Sequence, residues 1–189
     1  MKLEKNNIIL RPIKTSDLLP LWEEGYQNHT DWMAFDAPYF NDTPYTKESF
    51  INDIGPTYYC DNKHRFAIVV DNQMIGTVNA YYHDQNLKKW LEVGITIFNS
   101  SYWGLGIGYQ ALSLWISYLF DLHPDLPRIG LTTWSKNVRM IKLAEKLNLT
   151  LEAQFRKVRF YQDTYYDSIS FGILREEWFK SDAFSIKNV

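Results

Sequence analysis

Trp103-Gly104-Leu105-Gly106-Ile107-Gly108, continued directly by Tyr109-Gln110-Ala111-Leu112, is the stretch that decides how this chain is read. Its three glycines stand between an alternating apolar segment, Trp90 to Phe98, and a run of helix formers from about Ile107 to Phe120. A strand, a glycine-rich turn and a helix N-terminus outline an anion site. Unpaired N–H groups converge there, the helix dipole adds partial positive charge, and the missing side chains let a phosphate approach. The same residues also suit a tight strand-to-helix turn that binds nothing. Two phosphate-binding patterns are excluded. The dinucleotide fingerprint requires Gly-X-Gly-X-X-Gly, and Tyr109 occupies its third glycine position. The Walker loop closes with Gly-Lys-Ser/Thr, and no lysine follows Gly108.

Outward from this loop the chain alternates between strand and helix signals. In Trp90 to Phe98, Leu91, Val93, Ile95 and Ile97 share one face, and Glu92, Gly94, Thr96 and Phe98 share the other. Before it, Arg65 to Val70 and Met74 to Tyr82 read as paired strands joined by a tight reversal at Asp71-Asn72. Ile8 to Arg11 reads as an opening strand stopped by Pro12. Helices are expected from Ser16 to Gln27, through Leu18, Leu19, Trp22 and Tyr26, and from a Thr46 cap to Tyr59. Between them, Asp31 to Tyr45 reads as a packed aromatic loop. After the glycine loop come a strand at Arg128 to Trp134, a helix at Lys136 to Leu147, and strands near Leu151–Val158 and Tyr166–Leu174. The order β-α-α-β-β-β-α-β-α-β-β predicts a mixed α/β layer architecture without the strict alternation of a doubly wound fold.

Composition narrows the function. The chain has 189 residues, enough for one domain with a continuous core, and no repeat or linker divides residues 1–189. A net charge of −2 argues against a general nucleic-acid surface. No run approaches the roughly 18 apolar residues of a membrane span. Cys60 is the single cysteine, which excludes an intramolecular disulfide and a multi-cysteine zinc site. His29, His64, His83 and His123 show no ligand spacing, so no metal is expected. No Gly-X-Ser-X-Gly elbow is present, and Cys60 has no evident partner base. Met1-Lys2-Leu3-Glu4-Lys5-Asn6 lacks the apolar stretch of a secretory leader. The expected compartment is the cytoplasm, and the Asn-X-Ser/Thr triplets at Asn28, Asn41, Asn99 and Asn148 carry no meaning there.

With these residues in view, the chain resembles the GNAT N-acetyltransferase superfamily, and within it the ribosomal-protein N-terminal acetyltransferase (RimJ/RimL-like) branch. The family's pyrophosphate loop reads Arg/Gln-X-X-Gly-X-Gly/Ala, and Trp103 to Gly108 matches its last four positions, with Trp103 in place of Arg/Gln. Ile9-Leu10-Arg11-Pro12 is similar to the branch's opening strand. Asn137 to Leu149 resembles its Asn-X-X-Ser-X-X-X-X-Glu-Lys-Leu-Gly-Phe helix and turn. Leu151-Glu152-Ala153, Tyr165-Tyr166-Asp167 and Leu174 to Trp178 resemble the segments that follow. Three positions depart from the pattern: Met140 replaces Ser, Asn148 replaces Gly and Leu149 replaces Phe. The resemblance implies a mostly antiparallel twisted sheet of about seven strands, with helices on both faces and a splayed fourth strand that holds acetyl-CoA.

It also implies roles for particular residues. Ile95, Thr96 and Ile97 would offer backbone groups to the pantetheine arm, beside Gly94. Trp103, Gly104, Leu105, Gly106, Ile107 and Gly108 would hold the pyrophosphate. Asn137 would bond the pantetheine amide or simply cap its helix, and Arg139 and Lys142, with Lys136 and Lys146, would face the coenzyme phosphates or solvent. Glu92 is the expected general base; its other reading is an edge glutamate paired with Lys or Arg. Met140 cannot donate a proton to the leaving thiolate, so Tyr109, Tyr102, Tyr166 or water must do so. Trp32, Phe35, Asp36, Tyr39 and Phe40 resemble the wall of the acceptor pocket. The acceptor is then a small-molecule amine or a peptide or protein amine, with a non-catalytic acetyl-CoA sensor as the rival. Both monomer and homodimer fit the sequence.

Overall fold

The computed structural model describes residues 2–181 and 184. Two short strands, β1 (Leu3–Lys5) and β2 (Ile8–Pro12), precede α1 (Leu18–Trp22) and α2 (Lys47–Ser49). Then come β3 (Arg65–Val70), β4 (Gln73–Tyr82), β5 (Leu91–Ile97), α3 (Ile107–Leu122), β6 (Arg128–Trp134), α4 (Val138–Lys146), β7 (Thr150–Tyr161), β8 (Thr164–Leu174) and α5 (Arg175–Trp178). The strands form one eight-stranded sheet in the order β1-β2-β3-β4-β5-β6-β8-β7. Every pairing is antiparallel except that of β5 with β6.

The sheet therefore has one strand more than expected, and the splayed strand is fifth in the chain. The extra strand is β1, three residues of mixed polarity that pair with β2 across a turn at Asn6 (φ 52°), with Leu3 packed against the core. β2 runs through Pro12, which pairs with Phe66 at the strand end. The Asp71-Asn72 reversal is as expected, with both residues left-handed at φ 49° and 65°.

The two early helices differ from the expectation. Each opens with one α-helical turn and widens into i→i+5 bonding, over Glu23–Asn28 and Phe50–Tyr59. Pro56 lies inside the second segment and has no N–H for an α ladder. In the first, the Gly25 carbonyl accepts the Trp32 indole N–H at 2.6 Å, which draws it away from the ladder.

Alternation along the strands sorts the core into two layers. Phe66, Ile68 and Val70 of β3, with Leu91 and Val93 of β5, meet α3 and α4 on one face. Ala67, Val69 and Phe98 meet Leu18, Leu21 and Phe50 on the other. Trp115 of α3 is wholly buried, stacks on Tyr118 at 5.1 Å, and donates its indole N–H to the Asn79 carbonyl at 2.9 Å. Trp115→Ala should lower unfolding free energy by about 3–5 kcal/mol, measured by chemical denaturation.

Candidate active site

The sheet opens at its single parallel pair. β5 and β6 share only two positions, Leu91 with Ile129 and Glu92 with Gly130. Beyond Glu92, β5 stays paired with β4 as far as Ile97 but has no partner in β6. Ile95, Thr96 and Ile97 thus present a free strand edge, as expected for a strand that holds an extended ligand. Trp103 pins the following loop to this strand by donating its indole N–H to the Ile97 carbonyl at 2.9 Å.

The glycines of the loop serve two purposes. Gly104 and Gly106 have φ of +78° and +80°, which an L side chain rarely adopts, and a Cβ at either would meet nothing within 4 Å. Gly106 is the N-cap of α3 and no side chain caps this end, a helix start of the kind that can bind an anion. Gly108 instead lets α3 approach α4: a Cβ there would lie 3.3 Å from Leu143 Cδ2 and 4.0 Å from the Cδ1 atoms of Ile95 and Ile97. Uncapped N–H groups, glycine surfaces open to approach and a free strand edge fit a phosphate-bearing, amide-containing arm such as that of acetyl-CoA.

The cations on and just before α4 are largely held by rings. Arg139 lies over Trp103 at 4.5 Å and Phe35 at 4.9 Å. Lys146 lies over Tyr109 at 4.9 Å, and Lys136 over Tyr161 at 4.9 Å. Lys142 is exposed. Asn137 is the N-cap of α4: its side-chain oxygen accepts from the Met140 N–H at 3.2 Å, and its amide N–H donates to the Phe35 carbonyl at 3.4 Å.

Glu92 points to the face opposite Leu91 and Val93, and it is 1% exposed. It is not an edge residue paired with Lys or Arg. Its Oε1 accepts the Trp90 indole N–H at 3.1 Å, and its Oε2 accepts the Tyr81 hydroxyl at 3.3 Å. Tyr81 stands directly across the ladder from Glu92. Burial, and then the neighbouring Glu92, hold the Tyr81 hydroxyl well above its ordinary pKa, so it remains a donor. Tyr109 lies on the first turn of α3 and packs toward the other layer.

The aromatic loop divides into two parts. Trp32 packs edge-on to Tyr26 at 5.6 Å and belongs to the outer core layer. Phe35 reaches the site: its carbonyl accepts the Trp134 indole N–H at 3.1 Å and its ring meets Trp103 at 5.8 Å. Asp36 and Tyr39 lie within electrostatic reach of Tyr81, and Tyr39 sits between Trp134 at 5.3 Å and the Arg159 guanidinium at 4.7 Å. Asp36 is accessible to solvent yet ringed by protein. That crowding raises its carboxyl pKa, against the opposing pull of Arg65. Glu92, Tyr81, Asp36 and Tyr39 are thus brought together around Tyr81.

Sequence reasoning missed Tyr81, Trp90, Trp134 and Arg159. Tyr81 was findable only through the register of β4 on β5. A cavity of about 540 Å³ lies elsewhere, lined by Leu3, Pro12, Phe66 and Tyr118, and touches none of the Glu92 group. His64 and His123, distant in sequence, meet Nε2 to Nε2 at 2.7 Å. Among the described residues no cluster of three or more metal-ligating side chains assembles, and no helix is long and apolar enough to cross a membrane.

The chain is thus a mixed α/β protein whose mostly antiparallel sheet opens at its one parallel pair, with a glycine-rich helix start after it. Residues 7–150 match the acetyltransferase (GNAT) domain; the chain belongs to that family and is an acetyltransferase. GNAT acetyltransferases use acetyl-CoA. The chain is 27% identical over 176 residues to the SPbeta prophage-derived uncharacterized N-acetyltransferase YokL of Bacillus subtilis (strain 168), covering 91% of this chain and 92% of that one. It shares its fold with spermidine N-acetyltransferase from Vibrio cholerae, solved with CoA and spermine (TM-score 0.71, 19% identity, 91% and 98% of the two chains). It also shares it with ribosomal-protein-S5-alanine acetyltransferase from Vibrio fischeri (TM-score 0.68, 21% identity, 94% and 98%).

Two outcomes test this geometry. Gly106→Val places a β-branched residue at φ +80° and should weaken CoA binding about tenfold or more, read by calorimetry with the circular dichroism spectrum unchanged. Asp36 has a raised carboxyl pKa, so its ionised form costs the folded state stability above the unfolded pKa. Asp36→Asn should therefore raise Tm at pH 7, and the gain should vanish near pH 3.

Proposed function

We propose that this acetyltransferase transfers an acetyl group from acetyl-CoA to a primary amine by direct attack in a ternary complex, with Glu92 as general base. The carrying observation is the buried Glu92 carboxylate, held by two neutral donors, Trp90 and Tyr81, at the root of the sheet opening. A buried carboxylate without a cationic partner is costly unless it works.

The glycine loop and the start of α3 would hold the pyrophosphate, with Arg139 and Lys142 nearby and the Ile95–Ile97 edge along the pantetheine. When bound, acetyl-CoA supplies a thioester activated toward amines. Asp36 draws the cationic amine into a recess walled by Tyr39 and Phe35, where the ammonium first gives up one proton to solvent and so frees its lone pair. Glu92, directly or through one water, then takes the second proton, which the nitrogen sheds as the C–N bond forms and the C–S bond breaks. The departing sulfur must regain a proton. Met140 has none to give, and we assign the donor to Tyr109, whose helical turn packs on Ile95 and Ile97. The acceptor is a small-molecule amine or a peptide or protein N-terminus. The V. cholerae and V. fischeri structures represent one of each, and the sequence motifs favour the ribosomal-protein branch.

Thermal unfolding with acetyl-CoA, CoA, NAD and ATP tests the coenzyme assignment. At about 100 times Kd a true ligand adds roughly 2.7 kcal/mol, a shift of about 5–11 °C for a domain of this size. Only the two CoA species should produce it. Glu92→Gln should keep that shift while losing about 10²–10⁴-fold in kcat at neutral pH; a retained rate would remove Glu92 from the mechanism.

A further inference from the structure

The β4–β5 ladder places a second polar side chain beside Glu92. Tyr81 stands opposite Glu92 and Asn79 stands opposite Gly94. Residues two apart on a strand share a face, so Asn79, Tyr81 and Glu92 project on the same side of the sheet. Asn79 and Glu92 are diagonal neighbours, roughly 7–8 Å apart at the backbone and within side-chain reach of a common ligand atom.

Three facts set Asn79 apart. Its backbone is anchored, because its carbonyl accepts the Trp115 indole N–H at 2.9 Å. Its side chain lies on the Gly94 backbone, where a Cβ would come within 2.4 Å of Oδ1, so only glycine leaves that space open. Its Oδ1 is shielded from solvent and has no hydrogen-bond partner. Buried amide oxygens without partners are rare, and each calls for an explanation.

We infer that Asn79 Oδ1 is the second acceptor for the amine that Glu92 deprotonates, an inference that rests on the proposed acetyl transfer. A neutral primary amine has two N–H groups and one lone pair. With one N–H directed to Glu92 and the other to Asn79, the lone pair is left to face the thioester carbonyl. Oδ1 breaks no hydrogen bond when the amide turns from Gly94 toward the amine. A secondary amine has a carbon in place of one N–H and must leave either Asn79 or Glu92 unpartnered. Asn79 thus orients the nucleophile and selects primary over secondary amines.

The experiment pairs primary amines with derivatives N-methylated at every primary nitrogen, among them benzylamine, putrescine methylated at both ends and a lysine-free alanine-initiated peptide, and follows thiol release from acetyl-CoA. Wild type is compared with Asn79→Leu, which keeps the volume and removes the acceptor, and with Asn79→Ala should the leucine variant fail to fold. The CoA-induced thermal shift reports folding. Wild type should favour the primary amine at least tenfold. The variant should lose about tenfold or more in kcat for it, with little change for the N-methyl partner and an unchanged CoA shift. Equal use of both amines by wild type, or undiminished discrimination in the variants, overturns the role of Asn79 alone. Thiol release with no amine, despite a CoA shift in wild type, overturns the acceptor reading of the recess and this inference with it.

Discussion

The parting of β5 from β6 after two paired positions is the constraint on which the rest of the structure depends. Parallel neighbours require a crossover connection, and α3 is that connection. The glycine loop leads from the end of β5 to the start of α3, which no side chain caps. Backbone groups released from one ladder need other partners. Trp103 supplies one to Ile97, and the remaining edge is what a ligand with amide groups can use. The uncapped helix start and the open edge are thus two consequences of a single topological event.

The same parting gives the site two sides with different chemistry. Toward α3 and α4 lie the glycine loop, Tyr109 and the cations of α4, with Arg139 held between Trp103 and Phe35. On the other face lie Glu92 with its two neutral donors and, around Tyr81, Asp36 and Tyr39. Phe35 joins the sides, its carbonyl tied to Trp134 and Asn137 and its ring set against Trp103. The buried carboxylate and the glycine loop thus lie on opposite faces of the sheet.

Much of this was legible in the residues. The Leu91-Val93-Ile95-Ile97 alternation, the tight pair Asp71-Asn72, the capping position of Asn137 and the glycine loop each follow from local rules, and each appears where expected. β1 was not legible, because three residues are too few to show a period, and its place depends on pairing with β2 and on Leu3 meeting the core. The widened turns after α1 and α2 were not legible either. Apolar spacing locates a helical segment, whereas its hydrogen-bond pattern here answers to Pro56 and to the Trp32 indole on the Gly25 carbonyl.

For the site, the sequence by itself determined which residues could carry the chemistry: the glycines, Glu92 within an apolar strand, and an aromatic loop containing Asp36. These depend on short-range properties, namely backbone freedom, strand period and the cost of a charge in an apolar run. Only the tertiary structure decided their partners. Tyr81 meets Glu92, Asn79 lies on Gly94, Arg159 covers Tyr39 and His64 meets His123 because strands and loops far apart in the chain are fixed in register by the packing of the whole. A slip of one residue in β4 would turn Tyr81 and Asn79 to the opposite face, and nothing local to either residue forbids it.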